Sequence, residues 1–189
     1  MRWCMTAVLA VLLFTIPAQA ELQVYGTLGG EFTLDSSQDR PLSLSEFSGK
    51  VVLLFFGYVS CPDICPTTMV RVQQAVRKLD EDEAAQMQVL FISVDPERDT
   101  PEQLKHYVSY FHPNFIGLTG SSELLLKIAK KYGAFFVKDT RTQTEASYLM
   151  AHSGYTYLLD GQGRVRALYR QNTSPEQMTE DLEELIEGL

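Results

Sequence analysis

The sequence predicts an α/β domain in which helices cover both faces of a central mixed β-sheet. Residues 51–56 form an unbroken apolar run, and residues 89–94 form a second, nearly continuous one. Both runs are short and rich in β-branched and aromatic side chains, which is typical of strands buried on both faces. Around them, apolar residues recur at intervals of three and four, as on the buried side of a helix. This alternation of buried strands and amphipathic helices indicates a covered sheet.

The first 20 residues predict a signal peptide. Arg2 supplies a positive start, residues 5–16 are mostly apolar, and Ala18-Gln19-Ala20 matches a small-x-small cleavage site. As a helix the apolar run spans about 18 Å, well short of a bilayer core of roughly 30 Å. We therefore expect residues 21–189 to form one domain that is exported to the periplasm. An uncleaved segment that anchors the domain to the inner membrane, facing the periplasm, is the alternative.

Net charge and cysteine content limit the classes of function that the chain can have. The formal net charge is −8 and no run of basic residues occurs, so a nucleic-acid partner is not expected. Export would leave two cysteines, Cys61 and Cys65, in an oxidising compartment. A structural disulfide is the ordinary expectation there, but a loop of five residues restrains the unfolded chain little. The pair is therefore better explained as reactive sulfur.

The first elements follow from local pattern. Residues 31–35 and 42–44 alternate between apolar and polar, which predicts an N-terminal hairpin. A short helical turn over residues 45–50 ends at Gly49 and leads into the buried strand 51–56. After Gly57 and a loop, Pro66 is predicted to open a helix, since proline is tolerated at a first helical position. Cys65 would then be the N-cap, where the helix dipole favours a thiolate.

The later elements complete the plan. Residues 80–85 read as a charged connection, and strand 89–94 follows. Thr100-Pro101-Glu102-Gln103 carries a capping-box pattern that predicts the start of a helix. We expect in turn a strand over 115–118, a helix over 122–132, a short strand over 134–137, a polar loop over 138–146, a hairpin of strands 155–159 and 165–169, and a last helix from Ser174. This order is that of a thioredoxin-like fold, with the cysteines at the carboxyl end of a central strand.

Two cysteines four residues apart form a candidate metal site. Thiolates are soft ligands that select Cu(I), zinc or an iron–sulfur cluster, and a mononuclear metal needs a third ligand. His106 is expected on the solvent side of its helix and His112 at that helix's end. His152 precedes strand 155–159 and, in a thioredoxin-like sheet, lies beside the cysteine loop. Cys61, Cys65 and His152 suit Cu(I), and the imidazole adds a capacity for Cu(II).

Three segments carry a family resemblance. Cys61-Pro-Asp-Ile-Cys65-Pro, then Asp95-Pro-Glu-Arg98-Asp99-Thr-Pro101, then the segment from His152 to Asp160 resemble the Sco/SenC family in order and spacing. The resemblance implies an exported, thioredoxin-like copper binder that assists the assembly of cytochrome c oxidase. It implies Cys61, Cys65 and His152 as copper ligands, with the two cysteines also forming a redox-active disulfide.

The resemblance also implies partners and exposes one departure. The expected partners are a copper-receiving subunit of cytochrome c oxidase or another periplasmic copper protein, together with a thiol reductant. Membrane association is expected only through the partner or an uncleaved N-terminal segment. Family members often carry an acidic residue directly before the histidine, where this chain has Ala151. A carboxylate that orients the imidazole is therefore missing or supplied from elsewhere, and Asp95 is the candidate. Asp95 before a proline is equally an ordinary turn former.

Two other functions remain open. A thiol–disulfide oxidoreductase normally spaces its cysteines as Cys-x-x-Cys, and its fold places a proline before the strand at 155–159, where this chain has none. Reduction of the cysteines of a copper-receiving partner nevertheless stays compatible with the pair. A thiol peroxidase needs only one activated cysteine. A structural zinc site usually has four closed ligands, and only three are visible here.

Overall fold

A central seven-stranded sheet and a separate two-stranded sheet organise the molecule. The computed structural model describes residues 22–144 and 147–189, so the predicted signal peptide lies outside the described residues. The strands are β1 (Thr33–Ser36), β2 (Pro41–Ser43), β3 (Val51–Gly57), β4 (Met87–Ser93), β5 (Ile116–Thr119), β6 (Phe136–Thr144), β7 (Ser147–His152), β8 (Thr156–Leu159) and β9 (Val165–Tyr169). The helices are α1 (Ile64–Val76), α2 (Glu81–Ala85), α3 (Pro101–Phe111), α4 (Ser122–Lys131) and α5 (Pro175–Glu187), with a 3-10 turn over Leu44–Phe47.

The large sheet is mixed, as predicted. Its strand order is β2-β1-β5-β4-β3-β8-β9, and β6 pairs only with β7 in the small sheet. Strand β3 runs parallel to β4 and antiparallel to β8, and β4 runs parallel to β5. Every residue of β3 is buried, because the strand has neighbours on both edges and helices over both faces. The arrangement is the expected thioredoxin-like α/β fold.

Aromatic contacts show how the two faces of the sheet are covered. Phe55 of β3 packs on Phe91 of β4, and the Phe91 ring lies 5.1 Å from that of Tyr107 on α3. Phe56 points the other way, with its ring 5.8 Å from Tyr132 at the end of α4. Neighbouring residues of a strand face opposite sides of the sheet, so α3 and α4 lie on opposite faces.

The predicted N-terminal hairpin and the capping box at Thr100 are confirmed. Strands β1 and β2 pair with Leu34 opposite Leu42, both of them buried. Thr100 caps α3 by accepting the Gln103 N–H, and the Gln103 side chain accepts the Thr100 N–H in return. Reciprocal caps of this kind satisfy two of the backbone donors that a helix start leaves free.

The start of α1 differs from the prediction. The helix begins at Ile64 with Asp63 as its N-cap, so Cys65 is its second residue and not the cap. Pro66 is the third helical residue, still within the first turn, where a missing N–H costs no intrahelical bond. The expectation placed the helix start two residues too late, because proline is tolerated throughout that turn and not only at its first position.

Two predicted connections contain regular structure. Residues 81–85 form the short helix α2, which Asp80 caps by accepting the Glu83 N–H. The loop predicted over 138–146 is wrong for residues 138–144, which extend β6, and residues 145–146 lie outside the described residues. In the described part of the chain, no helix combines the length and the apolar character that crossing a membrane requires.

Candidate metal centre

The cysteine loop follows the central strand and is fixed by a buried carboxylate. Asp99, only 2% exposed, accepts hydrogen bonds from the Val59 N–H at 3.0 Å and from the Ser93 hydroxyl at 2.6 Å. Burial raises the pKa of Asp99 above its ordinary value. Because Val59 is two residues before Cys61 in the sequence and Ser93 ends β4, this carboxylate ties the cysteine loop to the neighbouring strand.

Cys65 lies directly against the end of β3. Its side chain is fully buried, and a Cβ atom added at Gly57 would lie 3.0 Å from the Cys65 Sγ and 2.8 Å from the rings of Phe55 and Phe91. The absence of a side chain at Gly57 therefore makes the room that the sulfur occupies. Cys61 is only partly buried, so the two sulfurs differ in their access to solvent. The two cysteines are not joined by a disulfide in this structure.

His152 completes the group from the far end of the small sheet. It is the last residue of β7, not part of a loop as predicted, and its Nε2 lies 3.5 Å from the Cys65 Sγ. Its Nδ1 is 2.9 Å from the Ser153 carbonyl oxygen. A carbonyl accepts only, so Nδ1 carries the proton in this contact and Nε2 is left with a lone pair directed at the sulfur. The rings of Tyr58 and Phe55 pack edge-on against the imidazole.

The three side chains form a group of metal-ligand size. The Sγ atoms of Cys61 and Cys65 and a ring nitrogen of His152 all lie within 4.8 Å of one another. With metal–ligand bonds of about 2.0–2.3 Å, two ligands of one ion are separated by at most roughly 4.6 Å, so only small movements are needed. Within residues 22–144 and 147–189 this is the one such group of three. His106, exposed on α3, and His112, at the end of that helix, stand apart from it.

The pKa values of the two cysteines shift in opposite directions. A hydrogen bond from the Cys65 thiol, together with hydrogen bonds from the backbone at Asp63 and Cys65, lowers the pKa of Cys61 to about 3. The same thiol contact and burial raise the pKa of Cys65. The expectation that Cys65 is the favoured thiolate is therefore wrong for the metal-free protein. The start of α1 does stabilise a thiolate, but that thiolate is Cys61, because the Cys65 backbone N–H points at the Cys61 Sγ, 3.4 Å away.

Asp95 is placed near the site but not on the imidazole. Its carboxylate is almost completely buried, and it accepts a 2.6 Å hydrogen bond from the Tyr148 hydroxyl and pairs with the Arg98 guanidinium. The hydrogen bond at His152 Nδ1 is made by the Ser153 carbonyl instead. An orienting group for the imidazole thus comes from the neighbouring backbone, a partner type that metal-bound histidines commonly use.

Two residues near the site escaped the sequence-based search. Asp99 was visible only as part of a family motif, without a role, and Tyr148 was not considered. The sequence carries no period-two signal for Tyr148, because the following residues Leu149, Met150 and Ala151 are all apolar. Asp63, between the two cysteines, is exposed and contributes only its backbone.

The fold and the site together define a class of protein. This is a thioredoxin-like domain in which two cysteines and one histidine, brought together at the carboxyl end of a central strand, could hold a metal ion. The SCO1/SenC family model matches residues 20–187. The chain therefore belongs to the SCO1/SenC family, as the resemblance predicted.

Relatives and solved structures agree with this placement. An SCO2-like protein of Rickettsia felis is 33% identical over 169 residues, which cover 88% of this chain and 82% of the relative. The crystal structure of Arabidopsis thaliana ScoI with copper bound superposes with a TM-score of 0.77 at 34% identity, over 85% of this chain and 99% of that one. Bradyrhizobium japonicum ScoI with copper bound has a TM-score of 0.75 at 34% identity, over 84% and 99%.

Proposed function

We propose that the protein is an exported copper chaperone that binds one copper ion through Cys61, Cys65 and His152. The observation that carries the proposal is the convergence of these three ligand atoms within 4.8 Å. Two thiolates provide the soft donors that Cu(I) prefers, and an imidazole nitrogen adds the borderline donor that Cu(II) accepts. Both ScoI relatives that resemble the chain have copper bound, which supports copper over zinc.

The open side of the site supports delivery of the ion to an acceptor. Cys65 is buried, whereas Cys61 and His152 are only partly covered, so an incoming ligand can reach the copper from the solvent side. A closed site with four ligands, typical of structural zinc, lacks such an approach. We propose that the acceptor is the copper-receiving subunit of cytochrome c oxidase or another periplasmic copper protein. Ligands would then be exchanged one at a time between donor and acceptor.

A second activity is favoured by the asymmetry of the cysteines. Cys61 is the accessible sulfur and carries the lowered pKa, while the pKa of Cys65 is raised. An exposed thiolate next to a second, protonated thiol can attack a disulfide and then be released by the buried partner, with both electrons passing to the substrate and the pair ending as a disulfide. Reduction of the cysteines of a copper acceptor is therefore the alternative function, and it requires a thiol reductant to restore the pair.

The test is copper stoichiometry followed by transfer. Reduced protein lacking residues 1–20 should bind one copper ion per chain, and the double variant Cys61→Ala/Cys65→Ala should bind none tightly. His112→Ala, which removes a histidine outside the ligand group, is the matched control and should bind normally. The loaded protein should then transfer copper to a soluble copper-receiving domain of the oxidase. Undiminished copper binding by the double variant contradicts the ligand assignment, and failure of transfer with normal binding contradicts delivery.

A further inference from the structure

We infer that Tyr148 is a positioning residue for copper: it is clamped by Asp95 and Arg98 and thereby holds His152 over the cysteines. The inference rests on the proposed function of the Cys61, Cys65 and His152 group. It gives Asp95 a role different from that expected from the sequence, since Asp95 acts through Tyr148 and does not touch the imidazole. We call the contacts of Tyr148 with Asp95 and Arg98 the tyrosine clamp.

The strand that carries His152 needs an external support. Strands β6 and β7 pair with each other and not with the seven-stranded sheet. An isolated two-stranded hairpin is marginally stable in water, so its position depends on side chains packed against the rest of the domain. The large sheet supplies no backbone ladder to β7. The location of His152 is therefore set by what β6 and β7 contact through their inward face.

The tyrosine clamp is the polar part of that contact, beside the packing of Met150 in the hydrophobic core. The Tyr148 hydroxyl donates to Asp95 Oδ1 at 2.6 Å, and the Arg98 guanidinium carbon lies 3.7 Å from the centre of the Tyr148 ring. Arg98 also pairs with the other oxygen of Asp95, which is 1% exposed. Among the described residues its Nη2 atom is buried without a hydrogen-bond partner, so this part of the guanidinium meets aromatic faces. A desolvated cation on an aromatic ring is a favourable contact that needs no acceptor.

A second cation contacts the Tyr148 ring from the neighbouring strand. Lys138 of β6 places its Nζ 4.5 Å from the centre of the Tyr148 ring and 2.6 Å from a carboxylate oxygen of Glu97. Glu97 belongs to the same 95–98 segment that holds the hydroxyl. Both strands of the hairpin are thus attached to the segment that follows β4, with Tyr148 at the centre.

The geometry of β7 links the position of Tyr148 to the position of His152. Tyr148, Met150 and His152 are alternate residues of β7, and the first two are partly and fully buried while Leu149 and Ala151 are exposed. Side chains at alternate positions share one face, so fixing Tyr148 fixes the face and the register of His152. Tyr58 adds a lateral link: its hydroxyl takes a hydrogen bond from the Met150 backbone, and its ring lies 5.8 Å from the His152 ring.

The decisive variant is Tyr148→Phe, which removes the hydroxyl and keeps the ring for Arg98. Outer groups that orient metal ligands typically contribute about 10–100-fold to metal affinity, and we expect a loss of that size for Cu(II). Cu(I), held mainly by the two thiolates, should weaken by less than about threefold. The melting temperature should fall by about 2–4 °C, the usual effect of one hydrogen bond in a domain of this length. Tyr110→Phe, at an exposed tyrosine of α3, is the matched control.

A measurement without metal separates positioning from general stability. In the reduced, metal-free protein, amide hydrogen exchange of residues 148–152 should accelerate about tenfold in Tyr148→Phe, while the amides of β3 keep their protection. Asp95→Asn removes the charge that holds Arg98 and should act in the same direction. If both variants act through one clamp, the double variant should lose little more Cu(II) affinity than the worse single variant.

The outcomes distinguish this inference from the proposed function. Equal Cu(II) affinity and equal exchange in Tyr148→Phe and Tyr110→Phe would overturn the clamp, even if His152→Ala abolishes Cu(II) binding. A normal Cu(II) site in His152→Ala would overturn the ligand assignment instead. Should Asp95→Asn fail to fold, the Tyr148→Phe comparison alone decides, because that change leaves no charge unpaired.

Discussion

The Cys65 Sγ lies 3.5 Å from the His152 Nε2, although 87 positions separate the two residues in the sequence. The contact joins the start of α1 to the end of β7, two elements that share no backbone hydrogen bonds. Nδ1 of the same ring is engaged by the Ser153 carbonyl, so the nitrogen that faces the sulfur is the one able to bind a metal. The protein thus holds an imidazole ready beside a buried thiol, and the predictions below test what the imidazole does there.

Replacement of His152 by alanine should separate the two oxidation states of copper. Cu(I) is satisfied by two thiolates, whereas Cu(II) prefers nitrogen and oxygen donors. We expect His152→Ala to weaken Cu(II) by at least about 100-fold, the upper limit for loss of a group that merely orients a ligand. Cu(I) affinity should change far less. Competition titrations with chelators, together with the thiolate-to-copper absorption band, measure both effects.

The fold should survive this substitution. His152 ends an outer strand and contacts the core mainly through the edges of Tyr58 and Phe55. Circular dichroism of His152→Ala should therefore match that of the parent protein. An unfolded variant, or an unchanged Cu(II) spectrum, would show that the imidazole is a packing group, and thiol–disulfide reduction would then become the preferred function.

Alkylation should modify Cys61 readily and leave Cys65 unmodified. The pKa of Cys61 is lowered to about 3, whereas an ordinary cysteine has a pKa near 8.5, so Cys61 should react with iodoacetamide at a nearly constant rate from about pH 5 to 8. Cys65, buried and with a raised pKa, should stay unmodified in the folded protein. Mass spectrometry of peptides quenched at intervals gives both rates.

A variant pair tests the cause of the acidic thiol. The hydrogen bond from the Cys65 thiol is the largest contribution that lowers the pKa of Cys61. Cys65→Ala removes this donor and should move the midpoint of the Cys61 rate profile toward the ordinary range. Cys65→Ser keeps an O–H donor and should move it less. A rate that falls tenfold for each pH unit below 8 in the parent protein would show that Cys61 is an ordinary thiol.

Substitution of Gly57 should disturb the buried sulfur without removing any ligand. A Cβ at this position would lie 2.8 Å from the rings of Phe55 and Phe91, closer than real Cβ contacts allow, and 3.0 Å from the Cys65 Sγ, tighter than most. We expect Gly57→Ala to lower the free energy of unfolding by about 1–3 kcal/mol, as overpacked cores do, and to weaken Cu(I) binding. Denaturant titration measures the first effect and chelator competition the second.

Gly26→Ala is the control for this substitution. A Cβ there meets nothing within 4 Å, so the stability and the copper affinity should match those of the parent protein. Copper binding at full strength in Gly57→Ala would mean that the space beneath Cys65 does not fix the sulfur.

Oxidation of the cysteine pair should switch copper binding off. Once Cys61 and Cys65 are joined, neither sulfur is a thiolate, so copper affinity should collapse and return when a dithiol reductant is added. The disulfide should stabilise the metal-free protein by only about 2 kcal/mol or less, because its loop is so short. Thermal unfolding of the oxidised and reduced forms measures this difference. A much larger stabilisation would indicate a structural disulfide.

The sequence alone predicted the architecture and the members of the candidate ligand group. Continuous apolar runs predict buried strands, and capping residues predict helix starts, because both signals lie in neighbouring residues of the sequence. That is why β3, β4 and the cap at Thr100 were predicted correctly. Cys61, Cys65 and His152 could be proposed as candidate ligands because few residue types bind soft metals and the chain holds only three histidines.

Only the tertiary structure decided how the site is held and which sulfur carries the charge. The pKa values of Cys61 and Cys65 diverge because burial and a mutual hydrogen bond act differently on two similar side chains, and sequence spacing contains neither quantity. The Tyr148 hydroxyl meets Asp95 across 53 positions of the chain, through a hairpin whose polar residues predicted a loop. Such contacts depend on how β6 and β7 dock against the domain, and docking is settled by packing among distant elements, which no local pattern records.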